Sequence, residues 1–447
     1  MRKQNLRSAR PLTVARAGAL ALAAGVALLG KPGAVGAAEP SPFASVRNVI
    51  LFIGDGMGPN HIQVGRMLNG GALRIDGIPW DGVGTLDTTS LDGVTDSAAG
   101  GTALATGQET LNGWVSMVPA DYANGDLTPV AVETALERAE QSRKATGLVT
   151  DLELSDATPA VFAAHVPDRD LGAEITEQMA ARGIEVLFSG GWSESYLLGA
   201  PDVTSLRELE PYLTGAAPWP TKMYGIFGKT SLAYTIDREE EGATRKQPTL
   251  PQLTQAAIGV LSKDPDGFFL MVEGGANDWG GHARDAAWVG AEIRELDQAI
   301  NYAYDWAKAR PEQDTLIVVT ADHETGGLIV GPATDYAAIA RQTASTEWMW
   351  GLIKAGKMTV EKALATYAGI TVTPAEKALI LQNKEMGIAD VLAARFNVTW
   401  GWSGTDEGDH TATPVPVMAW GPGSAAFAIP GLDNETVGRL LLDAVSH

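Results

Sequence analysis

From Val46 onward the chain alternates short runs of β-branched and aromatic residues with longer stretches of helical period. That rhythm predicts an α/β fold: a mostly parallel central sheet flanked by helices on both faces. The runs Asn48–Ile53, Thr146–Thr150, Glu185–Phe188, Gly267–Val272, Thr315–Thr320 and Val415–Ala419 predict strands, and the periodicity from about Ala283 to Ala309 predicts a long helix. Four of these strands run into polar residues at or just past their carboxyl ends: Asp55, Asp151, Glu273 and the pair Asp322 and His323. Open α/β sheets bind ligands beyond such ends, so a site is expected there.

Two stretches break the rhythm. Residues 193–247 mix Pro and Gly with the charged run DREEEGATRK, which predicts an exposed loop. Residues 329–409 are dominated by helical patterns, which predict a helical subdomain inserted near the C-terminus of a core built from 39–328 and 410–447. Residues 1–38 read differently again. Arg2, Lys3, Arg7, Arg10 and Arg16 precede the apolar run Ala17–Gly30 and then small residues, the pattern of a secretory signal peptide. The apolar run is shorter than the roughly 20 residues of a membrane span. An exported chain, periplasmic or extracellular and without a stable membrane anchor, is therefore expected.

Composition narrows the chemistry. The 447 residues contain no Cys, which excludes disulfides, a thiolate nucleophile and Cys-ligated zinc. Asp and Glu outnumber Lys and Arg by 54 to 33, and the resulting charge of −21 argues against nucleic acid or an anionic membrane as a partner.

Within DGVTDSAAGGTALATG, Ser97 stands directly before a helix-like run. A helix N-terminus suits a phosphate or an alkoxide, although Asp96 or Ser97 could equally be a simple N-cap. In EGGANDWGGHARDA, Asp278 and His282 are four apart, so a helical turn puts both on one face at a spacing suited to zinc. Asp322 and His323 follow a buried-looking strand, and His410 precedes the last one. Each pair alone could be a surface loop or a satisfied core histidine. Their shared placement at strand ends is hard to explain as structure alone.

Six segments carry a resemblance to the alkaline phosphatase family: IGDGMG (53–58), TDSAAGGTALATG (95–107), DATPAVFAAHVPDR (156–169), GFFLMVEGGANDWGGH (267–282), VTADHETGG (319–327) and GDHTATPVPVMAWGPG (408–423). The resemblance implies hydrolysis of small-molecule phosphate monoesters through a phosphoserine, with two zinc ions (Zn2+) and one magnesium ion (Mg2+), broad specificity and an alkaline optimum. It makes Ser97 the nucleophile and Arg169 the clamp on the phosphate oxygens. Asp278, His282 and His410 match one zinc site, and Asp55, Asp322 and His323 match the second. Asp55 would bridge to a magnesium site shared with Thr158 and Glu273, and Asp156 would order magnesium-bound water. Three divalent ions and Arg169 against five carboxylates would leave the loaded site at about +2, attractive to a phosphate dianion. His61, His165 and His447 are expected to be structural or at the surface.

One position departs from the pattern. Well-studied bacterial members of the family carry Lys or His where this chain has Trp279, which leaves Asp156 without its usual basic neighbour. Family members occur as homodimers and as monomers, and either assembly is compatible with the sequence. The competing readings are a phosphodiesterase or sulfatase of the same superfamily, and a noncatalytic metal- or phosphate-binding protein on this scaffold. Ser97 lacks the x-Pro-x-Arg that a sulfatase needs after its modified residue, and diesterases generally lack the magnesium site.

Overall fold

The six apolar runs are strands of one nine-stranded sheet. The computed structural model describes residues 41–191, 198–401, 410–429 and 431–447. The expected signal peptide and the GD preceding His410 lie outside the described residues. In chain order the sheet strands are β1 (Asn48–Gly54), β2 (Gly82–Asp87), β3 (Ala145–Thr150), β4 (Val186–Ser189), β5 (Met223–Ile226), β6 (Phe268–Gly274), β7 (Thr315–Thr320), β8 (Val415–Trp420) and β9 (Leu432–Asp433). Their order across the sheet is β9-β2-β8-β7-β1-β6-β3-β4-β5. Every residue of β1, β3, β4, β6 and β7 is buried, which is why these strands read as continuous apolar runs rather than alternating ones. β8 pairs antiparallel with both of its neighbours and so runs against the other eight. The mostly parallel α/β architecture expected from the sequence is the one observed.

Six helices carry or border the polar residues at the sheet's edge: α1 (Ser97–Thr106), α2 (Ala157–Ala163), α3 (Ala276–His282), α4 (Ala286–Lys308), α5 (Thr346–Lys354) and α6 (Pro374–Phe396). The helix expected from Ala283 begins three residues later, because Arg284 takes the left-handed region at φ 52° and ends α3's turn. Asp285 then caps α4 by accepting from the Ala287 and Trp288 N–H groups, both at 3.1 Å. Residues 329–401 carry four helices, including α5 and α6, and a short ladder between Leu328–Ile329 and Thr399–Trp400 lies at their base. Residues 41–447 pack as one unit.

The exposed loop expected at 193–247 is only partly that. Met223–Ile226 forms the edge strand β5, and the run DREEEGATRK begins inside the protein, with Asp237 1% and Arg238 8% exposed. Buried charges need partners, and these have them. Arg238 pairs with Glu295 at 3.1 Å and donates to the Pro248 carbonyl at 3.0 Å. Asp237 accepts from the Ser345 N–H at 2.7 Å and from its hydroxyl at 2.5 Å, and Ser345 is the residue that caps α5. The rest of the run meets solvent at Glu239–Gly242 and again at Thr244–Lys246, with Ala243 buried between them.

Burial pushes Asp237 up to about 7, against the hydrogen bonds from Ser345 and with help from Asp285 and Glu241. A carboxyl raised in the folded state contributes stability that is complete below its unfolded value of about 4 and lost as pH rises through about 7. Asp237→Asn can keep both Ser345 contacts without the charge. Its melting temperature relative to the parent should therefore rise between about pH 5 and pH 8. A difference that stays constant over that range would contradict this account.

Candidate metal and phosphate site

The strand register lines up the polar residues. Ile53 of β1 pairs with Glu273 of β6 on one side and Thr320 of β7 on the other, and Glu273 pairs with Thr150 of β3. Asp55, Asp151 and Asp322 follow one or two residues later on their own chains, so parallel pairing alone delivers them to one edge. His410 joins from the opposite direction. It precedes β8, and because β8 is antiparallel, its start lies where the other strands end.

Two clusters of ligand-type side chains form there among the described residues: Asp55, Asp322 and His323, and Asp278, His323 and His410. His323 Nε2 lies 3.5 Å from Asp55 Oδ1 and 3.5 Å from Asp322 Oδ2. Asp278 reaches His282 at 3.1 Å and His410 at 3.7 Å. The His323 and His410 rings stack with centroids 3.7 Å apart. His282 is the outermost of these residues, its side chain 37% exposed. Thr158 donates to Asp55 Oδ2 at 3.0 Å, and Glu273 is fully buried. Close approach of these loops requires glycine at position 56, where φ is +67° and an added Cβ would stand 2.6 Å from Thr325 Oγ1.

The electrostatics of this edge demand cations. Asp55 is held well above the usual carboxylate range by burial, then by Asp322 and Asp278. Glu273 is raised by burial, then by Asp156 and Asp151, and Asp322 is pushed up to about 7 by burial and Asp278. Burial would raise Asp278 as well, but His282 at 3.1 Å, followed by His410 and His323, holds it far below its ordinary value. Burial lowers both His323 and His410, leaving neutral imidazoles of the kind that ligate metals. Asp55 Oδ1, Asp322 Oδ2 and both Glu273 oxygens are buried with no hydrogen-bond partner. Orphaned carboxylate oxygens are costly to bury, and divalent cations would satisfy them. Mixed histidine and carboxylate donors fit zinc, and the oxygens of Asp55, Thr158 and Glu273 fit magnesium.

Ser97 is the first residue of α1, and Asp96 is the N-cap, its Oδ1 accepting from Ala99 N–H at 2.9 Å. The capping role thus falls to Asp96, and Ser97 stands at the first turn of the helix. Ser97 Oγ lies 3.2 Å from His323 Nε2, the nitrogen that also faces Asp55 and Asp322. α1 approaches so closely because it is built of small residues: a Cβ at Gly100 would stand 2.7 Å from the Asp322 carbonyl oxygen. Arg169 reaches the same region, held by Asp96 at 3.2 Å and Asp156 at 3.0 Å. Burial opposes its charge, but Asp156, Asp96 and Asp55 outweigh that and raise it above the ordinary arginine range. Asp156 thus has a basic neighbour, and it is Arg169.

Two supporting residues, Asn277 and Thr325, escape sequence reasoning, and Asp151, noted at its strand end, proves to be a support. Asn277 donates to the Asp55 carbonyl at 2.8 Å, and Thr325 bonds both Asp278 and His323. Asp151 accepts from Gly275 N–H at 2.7 Å and so fixes the turn ahead of α3. His61 is fully buried, accepting from Gly58 N–H at 3.1 Å with Glu324 at 3.7 Å. His165 is wedged between Glu137 and the Ser116 carbonyl, both at 2.9 Å, and His447 sits beside Asp443 at 3.3 Å. Trp279 is half-buried and packs edge-on against Tyr234 with centroids 6.0 Å apart.

The profile of the alkaline phosphatase family matches residues 46–216 and 213–445, nearly the whole described chain. The chain belongs to the alkaline phosphatase family. Several of its relatives carry that name. Alkaline phosphatase 4 of Bacillus subtilis (strain 168) is 34% identical over 88% of this chain and 87% of its own. Alkaline phosphatase of Escherichia coli (strain K12) is 32% identical over 64% of this chain and 72% of its own. Among solved structures, the Thermus thermophilus alkaline phosphatase superposes with a TM-score of 0.78 at 25% identity, covering 91% of this chain and 92% of that one. The activity is accordingly phosphate monoester hydrolysis, and no described helix is long and apolar enough to cross a membrane.

Chelation should therefore destabilise this alkaline phosphatase as well as inactivate it. A cation present at about a thousand times its Kd contributes about 4 kcal/mol to folding. Excess EDTA is expected to lower the melting temperature by several degrees, and zinc with magnesium to restore it. An unchanged melting temperature would show that the orphaned carboxylates are satisfied in some other way.

Proposed function

We propose that the chain hydrolyses phosphate monoesters through a covalent phosphoserine on Ser97, with two zinc ions and one magnesium ion held by the residues above. The observation that carries this reading is the position of Ser97 Oγ, 3.2 Å from the His323 nitrogen that faces Asp55 and Asp322. Asp278, His282 and His410 would hold one zinc, Asp55, Asp322 and His323 the other, and Asp55, Thr158 and Glu273 the magnesium, with Asp156 beside it. Bound there, the metals would supply Lewis acidity on the two sides of an in-line displacement.

The chain's own groups do the rest. Ser97 Oγ attacks phosphorus, the ester P–O bond breaks, and the alcohol leaves with a proton. Water then attacks the phosphoserine, releasing inorganic phosphate and restoring the hydroxyl. Two inversions give net retention at phosphorus. The N-terminus of α1 favours negative charge at Ser97 throughout. Arg169, its fork oriented by Asp96 and Asp156, presents paired donors to two phosphate oxygens, a geometry that a lysine could not supply. Thr158 and Glu273 favour a monoesterase over a diesterase, and Ser97 with Arg169 favours an enzyme over a binding protein. We further infer that residues 1–38 direct export, and that 329–409 are an insertion into the phosphatase core.

Hydrolysis of p-nitrophenyl phosphate, with the bis-ester and the sulfate as controls, tests the reaction class. Preference for the bis-ester, or turnover that survives chelation, would overturn it. Ser97→Ala is expected to lower kcat/KM by at least about a thousandfold while leaving the metal content intact. A phosphate adduct on Ser97, found by mass spectrometry after an acid quench, should vanish with it. Arg169→Ala should cost about a hundredfold or more, with Arg169→Lys recovering only part.

A further inference from the structure

Beside His282 a cavity of about 310 Å³ opens, walled by Trp279, Tyr234, Trp288, Glu347, Glu385 and Met386. Its chemistry is uneven: aromatic surface on one side, two carboxylates on the other. Tyr234 organises the aromatic wall, tilted on Trp288 with centroids 4.1 Å apart and meeting Trp279 edge-on at 6.0 Å. Its hydroxyl donates to Glu347 Oε2 at 3.2 Å, so the ring and the carboxylate are set together.

Glu385 arrives by an unusual route. α6 breaks at Lys384, a non-glycine residue with φ 60° and ψ −128°, and the break turns the following Glu385 and Met386 into the cavity wall. The helix resumes at Gly387, where an added Cβ would stand 2.7 Å from Ile380 Cα, so the kink is packed tightly. Burial, then Glu347 and Asp285, pushes Glu385 up to about 7. Arg284 touches Met386 at 3.2 Å but is itself paired with Asp390 at 3.1 Å. A further polar group is unanswered: the Trp288 indole N–H, on a ring 1% exposed, has no hydrogen-bond partner.

We propose that this cavity receives the alcohol portion of the substrate and selects phosphate monoesters whose alcohol carries a cationic ammonium group. The inference rests on the phosphatase reading above. A cation on the Trp279 and Tyr234 surface would gain from the ring quadrupoles and from two carboxylates that now repel one another. The phosphate, held next to His282 at the metal site, would anchor the other end. In this arrangement Trp279 has a role that lysine would spoil, since a fixed cation at that position would repel the substrate's own.

The test compares ω-aminoalkyl phosphates of two to six methylenes with n-alkyl phosphates of matched length, on the metal-loaded enzyme at low salt. At one chain length the amino compound should show a kcat/KM at least about tenfold higher. In the double variant Glu347→Gln, Glu385→Gln that ratio should fall towards one. The ratio is read within each protein, so a general loss of activity does not enter it. On the unaltered enzyme, n-alkylammonium ions should inhibit p-nitrophenyl phosphate hydrolysis competitively, and n-alkanols of equal length should do so far less. Ratios near one at every length, a ratio that survives the double substitution, or equal inhibition by amine and alcohol would each overturn the proposal. An enzyme active on p-nitrophenyl phosphate without amine preference refutes this inference alone. Absence of any phosphatase activity refutes both readings.

Discussion

Four carboxylate oxygens, on Asp55, Glu273 and Asp322, are held out of water at one edge of the sheet with no donor to meet them. Neutral hydrogen bonds cannot balance a cluster of that charge, whereas divalent cations can. Much of the surrounding structure serves that arrangement. Gly56 lets the first loop close on Thr325, Asp151 pins the turn before α3, and the small residues of α1 bring Ser97 against the Asp322 loop. Keeping these charges together costs the scaffold stability, and bound cations would restore it.

The same constraint explains how acidity and phosphate coexist. A chain of net charge −21 would repel a phosphate dianion if its surface made the contact. On the proposed reading the contact is made instead where the negative groups would be metal ligands, beside the Arg169 guanidinium. Arg169 is itself held by two carboxylates, Asp96 and Asp156, and neither belongs to the clusters around His323. Acidic residues thus play two parts within a few ångströms: some would hold metals, and others orient Arg169.

Much of this was legible in the sequence, and the parts that were not share a cause. β1, β6 and β7 announce themselves because burial on both faces leaves uninterrupted apolar runs, and Asp278 with His282 reads directly as one helical face. β5 and β9 are too short to stand out, and β2 alternates between buried and exposed positions. Asp237 and Arg238 look like solvated loop because nothing local reveals that their partners, Ser345 and Glu295, lie 108 and 57 residues away. The Arg169–Asp156 pair escaped for the same reason, since the two are brought together by the bend after α2. The wall of Tyr234, Glu347 and Glu385 comes from three separate segments and depends on a kink at Lys384 that no sequence pattern signals. Local chemistry reads from sequence, and convergence does not.

The reversed direction of β8 bears on when the site can exist at all. His410 bonds the Thr95 carbonyl across a separation of 315 residues, at 3.0 Å, and it is held there by its pairing with Thr325 and by the docking of β8 that follows it. Without that strand in place, Asp55, Asp278 and Asp322 would lack His410, and non-local pairings of this kind are slow to form. On the proposed reading, the site that takes His410 would therefore be complete for a metal only after this last strand has docked. For such a chain, the compartment in which folding finishes would then help to set which metals it carries.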